Sequence, residues 1–549
     1  MYTFHPAADR RMRTHLIALV ALGLTACQPE PPHTPAPQPS QTAAKAAPTA
    51  PQPPPRAPAT VTLLYTTDEH GWLFGKGQGE KLRGGAAEAL GQWIADEHHC
   101  PKEPPTAAPS PACANPSTLL LSGGDHFTGP AISTYFRGLP MAHAMARMGY
   151  VASAFGNHDF DFGRDAFEQN RRANGITYLA ANARVTDPAK DPKFSASIIV
   201  ERRGLHIAVI GVATQDTARE ALPSAFEGIA FDPPEPALNR AVDNAYTSGA
   251  DAVVVLAHAC EDEILPIVER HPEWALAFVG LGHCHRRFQK SVHNTPVVMP
   301  GFRLDAFARV ELTVDPSLPI RHRVTQNLAT TVNVRPREGL GPDVAVDQIR
   351  AESQTKLLAA LGDVIGFSAE GMDDDSQAMG RWITRAMREA AHTDIALTNW
   401  TGIRDSLAAG PIRKLDVVSI LPFDNTLVVL RVKGSAVDRM LGERAYVASG
   451  ATRTRLPAPD GAKRHPHETR LDNGTLIDPD KVYTVAVTNF LYDVSRDFNF
   501  VAADPSPTRT SISLQNAVIT WTAKAKSTEK KPLEHILGGS TKPPPRTQK

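Results

Sequence analysis

Between residues 60 and 333 the chain repeats one theme: a short apolar run, then a turn dense in polar residues. The runs are 61–65, 118–121, 151–154, 176–180, 206–212, 251–256, 275–279 and 295–299, with helical stretches such as 86–97 and 236–248 between them. Apolar strands of four to seven residues that alternate with helices are buried on both faces, so the pattern predicts a layered α/β domain. In such folds function gathers at the carboxyl ends of the strands. The polar residues of this segment fall there.

A connector at 334–365, with a helix at 344–361, leads to a second unit at 366–525. An amphipathic helix at 376–391 carries Met379, Trp382, Ile383 and Met387 on one side, and strand-like runs follow at 395–398, 427–432 and 482–487. This unit reads as a smaller α+β domain. The polar, basic tail 526–549 is expected to be disordered.

The first 59 residues belong to neither core. Arg10, Arg11 and Arg13 precede an apolar run at 16–24 that ends in Leu24-Thr25-Ala26-Cys27, the layout of a secretory signal. The cysteine after small residues resembles the bacterial lipobox, which implies a lipid on Cys27; Gln28 after it favours the outer membrane. Residues 28–59 hold 12 of the 47 prolines, and their charged residues are Glu30, Lys45 and Arg56. That stretch reads as a disordered, polyproline-like spacer between a membrane anchor and the folded part. Lys+Arg and Asp+Glu both number 58, which argues against a nucleic-acid polymer as partner. No apolar run reaches the roughly 18–20 residues of a spanning helix. With Cys27 lipidated, Cys100, Cys113, Cys260 and Cys284 remain; export permits disulfides, and both Cys100–Cys113 and Cys260–Cys284 pairings stay open.

Five segments of the first domain end a strand with metal-ligand residue types: Asp68-Glu69-His70-Gly71, Gly123-Gly124-Asp125, Gly156-Asn157-His158-Asp159, Leu256-Ala257-His258 and Gly282-His283-Cys284-His285. A lone histidine at a strand end is commonly a satisfied core or surface residue, but five such segments in one domain are hard to treat as separate turns. Mixed imidazole and carboxylate donors suit Zn, Mn, Fe or Co better than Mg or Ca.

In order and content these segments resemble the calcineurin-like metallophosphoesterase family, in particular its exported 5′-nucleotidase, UDP-sugar hydrolase and cyclic-nucleotide phosphodiesterase branch. The run from Gly156 to Gly163, Gly-Asn-His-Asp-Phe-Asp-Phe-Gly, is the most specific match. The resemblance implies a four-layer β-sandwich flanked by helices, followed by a 5′-nucleotidase-type substrate-binding domain. It implies two divalent ions, one on Asp68, His70 and His285, the other on Asn157, His258 and His283, with Asp125 bridging. Such a pair activates a shared water for in-line attack on phosphorus. His158 matches the family's catalytic histidine and Asp161 the carboxylate that orients it, while Glu69 is not expected to be a ligand.

In the second domain Asn399-Trp400-Thr401-Gly402-Ile403-Arg404 resembles the N-x-G-G-I-R motif, implying Arg404 as a phosphate or ribose contact and Asn399 as a polar contact. Pro422-Phe423-Asp424-Asn425 resembles P-F-G-N, implying that Phe423 stacks on a base and Asn425 makes a polar contact; Phe490 is the candidate second stacking aromatic. Two departures stand out. Asp373-Asp374-Asp375-Ser376-Gln377 replaces the R-x-R-x-E element expected to hold a terminal phosphate, and Ser495-Arg496-Asp497-Phe498 lacks the expected glycines. The expected activity is hydrolysis of a small, nucleotide-type phosphate ester. A thiosulfohydrolase on the same scaffold and a non-catalytic surface binding lipoprotein are the alternatives, and the oligomeric state stays open.

Overall fold

The computed structural model describes residues 56–77, 82–102, 117–457, 465–538 and 541. The signal segment, Cys27, most of the spacer, Cys113 (and with it the Cys100–Cys113 pairing) and the end of the tail lie outside the described residues.

Two six-stranded sheets form the first domain. In spatial order the first runs Val324–Asn333, Ala306–Val314, Ala59–Thr66, Leu119–Ser122, Ala152–Ala154, Thr177–Leu179, and the second Arg287–Val292, Thr295–Pro300, Phe278–Leu281, Ala252–His258, Leu205–Ala213, Ser197–Arg202. They face each other across a core that includes Leu63, Leu121, Val209, Val254 and Leu256, all fully buried. The outer face of the first sheet is covered by helices Ala86–Glu97, Leu139–Met148 and Arg164–Asn174, and that of the second by Pro234–Thr247 and Glu261–Arg270. The result is the four-layer α/β arrangement. The middle strands of each sheet pair in parallel, so their carboxyl ends share one edge. Tyr65 stitches the layers together by donating its hydroxyl to the Leu281 carbonyl at 2.9 Å. Gly280 makes this possible, because a β-carbon there would overlap the Tyr65 ring.

The hairpin Ala306–Val314/Val324–Asn333, which extends the first sheet, has no counterpart among the predicted runs. Ala306–Val314 largely alternates buried and half-buried residues, and Val324–Asn333 mixes half-buried and exposed ones, instead of either forming a solid apolar run. The predicted strand at 275–279 begins later, at Phe278, because Ala275 adopts φ +48° to close the turn Pro272–Trp274.

The second domain centres on a five-stranded sheet in the order Tyr446–Ser449, Ile395–Asn399, Val482–Thr488, Thr426–Lys433, Thr508–Ser513. Helix Gln377–Ala391 starts where Ser376 accepts a hydrogen bond from the Met379 amide, an N-cap. Its Met379, Trp382, Ile383 and Met387 are buried against helix Leu514–Ala525, where Trp382 donates to Thr522 at 2.8 Å.

Two boundary expectations are corrected. Arg56, assigned to the disordered spacer, forms ion pairs of 2.6 and 2.8 Å with Asp251, a buried carboxylate that also holds Arg323; burying that charge requires such partners. The tail is ordered through residue 538: helix Leu533–Leu537 buries Leu533 and Leu537, and Glu534 accepts the amides of Ala369 (2.7 Å) and Glu370 (3.0 Å) and the Ser368 hydroxyl (3.1 Å). A carboxylate carrying three donors is a structural anchor. Glu534→Ala is expected to lower unfolding free energy by about 1–3 kcal/mol, read as a shift in the urea midpoint.

Candidate active site

The five ligand-bearing segments meet at the shared edge of the two sheets. Asp68 and His70 follow Ala59–Thr66, Asp125 follows Leu119–Ser122, and Asn157 and His158 follow Ala152–Ala154. His258 ends Ala252–His258, and His283 and His285 follow Phe278–Leu281. Five of these residues, Asp68, His70, Asp125, His283 and His285, have φ between +47° and +74°. Residues with a β-carbon seldom adopt that conformation, and clustering of it marks backbone strained for a purpose.

The side chains converge. His70 Nε2 lies 2.9 Å from His285 Nε2, 3.8 Å from Asp125 Oδ2 and 4.0 Å from Asp68 Oδ1; His285 Nε2 is 3.4 Å from Asp68. His258 Nε2 is 3.2 Å from Asp125 Oδ2 and 3.1 Å from Asn157 Oδ1, and His283 Nδ1 is 3.0 Å from the same Asn157 oxygen. His70 donates from Nδ1 to the Thr128 carbonyl at 2.8 Å, and His258 from Nδ1 to the Gly123 carbonyl at 2.7 Å. A carbonyl can only accept, so each Nδ1 carries a hydrogen, and in the neutral ring Nε2 is then the atom with a lone pair for a metal.

These donors fit a divalent cation. Ligand atoms of Asp68, His70 and His285 lie within 4.8 Å of one another, as do those of Asp68, Asp125 and His258. Asp68 therefore belongs to both groups, whereas Asp125, the residue predicted to bridge, belongs to the second. A buried and a half-buried imidazole nitrogen facing each other across 2.9 Å, with carboxylates beside them, make poor mutual partners but a good cation shell. Burial, reinforced by the neighbouring His285 and Arg404, holds His70 well below the usual imidazole range. Burial acts the same way on His258, yet the Asp125 carboxylate outweighs it and pushes that imidazole up to about 10.

His158 stands beside the cluster. Its Nδ1 is 2.8 Å from Asp161 Oδ2, and its backbone amide donates to Asp125 Oδ1 at 2.8 Å. Burial alone would lower its pKa, but the charges of Asp161 and Asp125 prevail and raise it.

The second domain closes over this edge. Arg404 Nη2 comes within 3.4 Å of His70 Nε2, and the Phe423 ring centroid lies 5.5 Å from that of His158. Between the domains lies a cavity of about 870 Å³ lined by His158, Asn399, Arg404, Phe423, Asn425 and Phe490, among others. Every substrate-contact residue expected from sequence thus faces one space. The acidic run 373–375 does not line it; Asp374 instead lies near Arg303. Ser495, Arg496 and Asp497 do line it, and Arg496 crosses to Asp216 of the first domain at 2.9 Å.

Sequence reading missed Glu220, whose Oε2 is 2.9 Å from His283 Nε2. The carboxylate orients the imidazole so that Nδ1 faces Asn157, an outer-shell contact of the kind that tunes ligand histidines. The polar run after strand Leu205–Ala213 was the available signal. Glu69, set aside as a non-ligand, is fully buried behind the cluster, where it accepts from Ser122 at 2.8 Å and faces His126 Nδ1 at 2.7 Å.

Cys260 and Cys284 are joined in a disulfide with Cα atoms 5.4 Å apart. It ties the residue two beyond His258 to the residue between His283 and His285. The Cys260→Ser/Cys284→Ser variant is expected to lose about 3 kcal/mol of stability, from the chain-entropy effect of a loop this long. It should also bind metal roughly tenfold more weakly, by the scale of outer-shell changes. Thermal denaturation and a metal titration read the two effects.

Residues 361–502 match the family model described as the 5′-nucleotidase, C-terminal domain. Among curated relatives, Endonuclease YhcR of Bacillus subtilis is 27% identical over 409 residues, covering 68% of this chain and 33% of that protein. The chain thus spans about a third of that longer relative's length. Protein UshA of Yersinia enterocolitica is 25% identical over 482 residues, 78% of this chain and 84% of that protein. Among solved structures, the 5′-nucleotidase precursor from Thermus thermophilus superposes with a TM-score of 0.70 at 22% identity, covering 86% of this chain and 97% of that one. Residues 361–502 thus match the 5′-nucleotidase C-terminal domain model, and the described fold, a four-layer domain followed by a smaller one, is similar to that of the Thermus thermophilus 5′-nucleotidase precursor.

Proposed function

We propose that the protein is an exported metallophosphoesterase that hydrolyses nucleotide-type phosphate esters in the cavity between its two domains. The observation that carries this reading is convergence: seven donor residues gather at the strand ends of both sheets, and four of them, Asp125, Asn157, His283 and His285, face the same cavity as the His158–Asp161 pair and Arg404.

In this reading Asp68, His70 and His285 would hold one divalent ion and Asn157, His258 and His283 a second, with Asp125 contributing to the same cluster. A bound ion pair supplies positive charge at the phosphoryl oxygens and acidifies water there. The protein's own groups do the rest. Arg404, with Nη2 3.4 Å from His70 Nε2, offers its planar fork to the phosphoryl group. His158, kept protonated longer by Asp161 and Asp125, donates to a phosphoryl or leaving-group oxygen. Phe423 and Phe490 offer apolar faces for a base, and Asn399 and Asn425 supply the polar contacts that orient it. A cavity of about 870 Å³ lies within the range of roughly 300–1,000 Å³ typical of small-molecule sites. Export and a lipid on Cys27 rest on residues 10–27; among the described residues no helix is long and apolar enough to cross a membrane.

Phosphate release is the test, with Mn or Zn added and a chelated control, on 5′-AMP, a 2′,3′-cyclic nucleotide, a UDP-sugar and bis-(p-nitrophenyl) phosphate. Metal-dependent turnover of any of these supports the reading. Full metal loading without turnover of any of the four sinks it.

A further inference from the structure

We propose that the turn Phe302-Arg303-Leu304 is an interdomain latch, in which Arg303 is a positioning residue that seats Arg404 of the second domain over the carboxylate–histidine cluster of the first. Its kinetic consequence rests on the phosphoesterase reading above.

The turn is registered to the cluster on one side. Arg303 donates its backbone amide to the Asp68 carbonyl at 2.8 Å. The Phe302 ring stacks on His285 with centroids 4.8 Å apart and planes within 5°. Arg303 and Leu304 take φ +59° and +57°, two successive left-handed residues with β-carbons. Such backbone persists where its surroundings over-determine it.

On the other side the turn reaches the second domain. The Arg303 guanidinium lies 4.7 Å from the centroid of the buried Trp72 ring and donates from Nη2 to the Arg404 carbonyl at 2.6 Å. The Arg404 amide in turn donates to the Ile420 carbonyl at 2.8 Å, so that residue is held from both ends. Next to it, Asp405 pairs with Lys76 of the first domain at 2.6 Å. Among the described residues no carboxylate lies within ion-pair distance of Arg303. It is a half-buried cation whose charge is offset by Asp405, Asp374 and Asp305 from beyond ion-pair distance, while its directed bond goes to the carbonyl of another arginine rather than to an acid. A guanidinium beside Trp72 carries a rigid planar fork of donors, whereas an ammonium there would be a point charge on a flexible stem.

The experiment compares Arg303→Met, Arg303→Lys, Arg404→Ala and the double variant Arg303→Met/Arg404→Ala in the metal-loaded protein. Two readouts are taken: kcat and KM on the best substrate of the panel, and inorganic phosphate binding by calorimetry. Arg303→Met should cost on the order of 10²-fold in kcat/KM, as displacement of a catalytic group by about 1 Å does. Its metal content should equal that of the parent, and Arg303→Lys should not rescue it. The double variant should match Arg404→Ala within about twofold, because Arg303 acts through Arg404. Losses that multiply, metal lost along with activity, or a fully active Arg303→Met protein would each overturn the latch. If the parent turns over no ester, the phosphoesterase reading falls by itself. The latch then stands if the two single variants and the double weaken phosphate binding alike, and falls if Arg303→Met leaves it unchanged.

Discussion

Asp125→Ala is expected to strip bound metal from the protein and to lower phosphate release by well over 100-fold. The carboxylate is fully buried and faces both halves of the cluster, 3.2 Å from His258 Nε2 and 3.8 Å from His70 Nε2. Its other oxygen accepts the His158 amide at 2.8 Å, so it also positions the neighbouring histidine. Outer-shell changes at metal sites cost roughly 10–100-fold in affinity or activity, and loss of a carboxylate inside the donor cluster should exceed that. Elemental analysis after dialysis measures the metal, and the phosphate assay measures the rate. Ligand binding also stabilises the fold by about 2.7 kcal/mol when the ion is present at 100 times its Kd. Chelation should therefore lower the melting temperature of the parent and leave that of Asp125→Ala nearly unmoved. Full activity with full metal content in this variant would falsify the proposed role of the cluster.

His158→Ala separates chemistry from metal binding. His158 sits beside the donor groups, with Nδ1 engaged by Asp161 at 2.8 Å and its ring in the cavity facing Phe423. Removing it should lower kcat by about 10²–10⁴-fold, the usual contribution of a positioned acid or base, with metal content unchanged. Asp161→Asn should lose less, because the imidazole remains and only its orientation and charge stabilisation suffer. The double variant should be no slower than His158→Ala alone, since Asp161 acts through the imidazole. Equal losses of metal and rate in His158→Ala would instead place this histidine in the cation shell.

The strand runs and the long helices were legible because each is a local pattern. Helix Val344–Leu361 has the predicted bounds, and helix Gln377–Ala391 begins one residue after its cap, Ser376. The hairpin Ala306–Val314/Val324–Asn333 was not, because its first strand is only alternately buried, its second is nowhere fully buried, and its place in the sheet depends on Ala306–Val314 pairing with Ala59–Thr66. The last helix, Leu533–Leu537, was hidden for a related reason. In sequence it is a few apolar residues in a polar tail, and it is ordered by Glu534 accepting amides from residues 369 and 370.

The sequence by itself determined the layered class, the strand ends that carry chemistry, and the residues gathered there, since turn and strand chemistry is written over spans of a few residues. Tertiary structure alone decided which of those residues touch. It placed Glu220 against His283, joined Cys260 to Cys284, kept the acidic run 373–375 out of the cavity, and set Arg303 beneath Arg404. Each of these contacts joins segments that local propensity cannot relate. They form only when the burial of two sheets and the closure of a second domain bring distant turns to one edge.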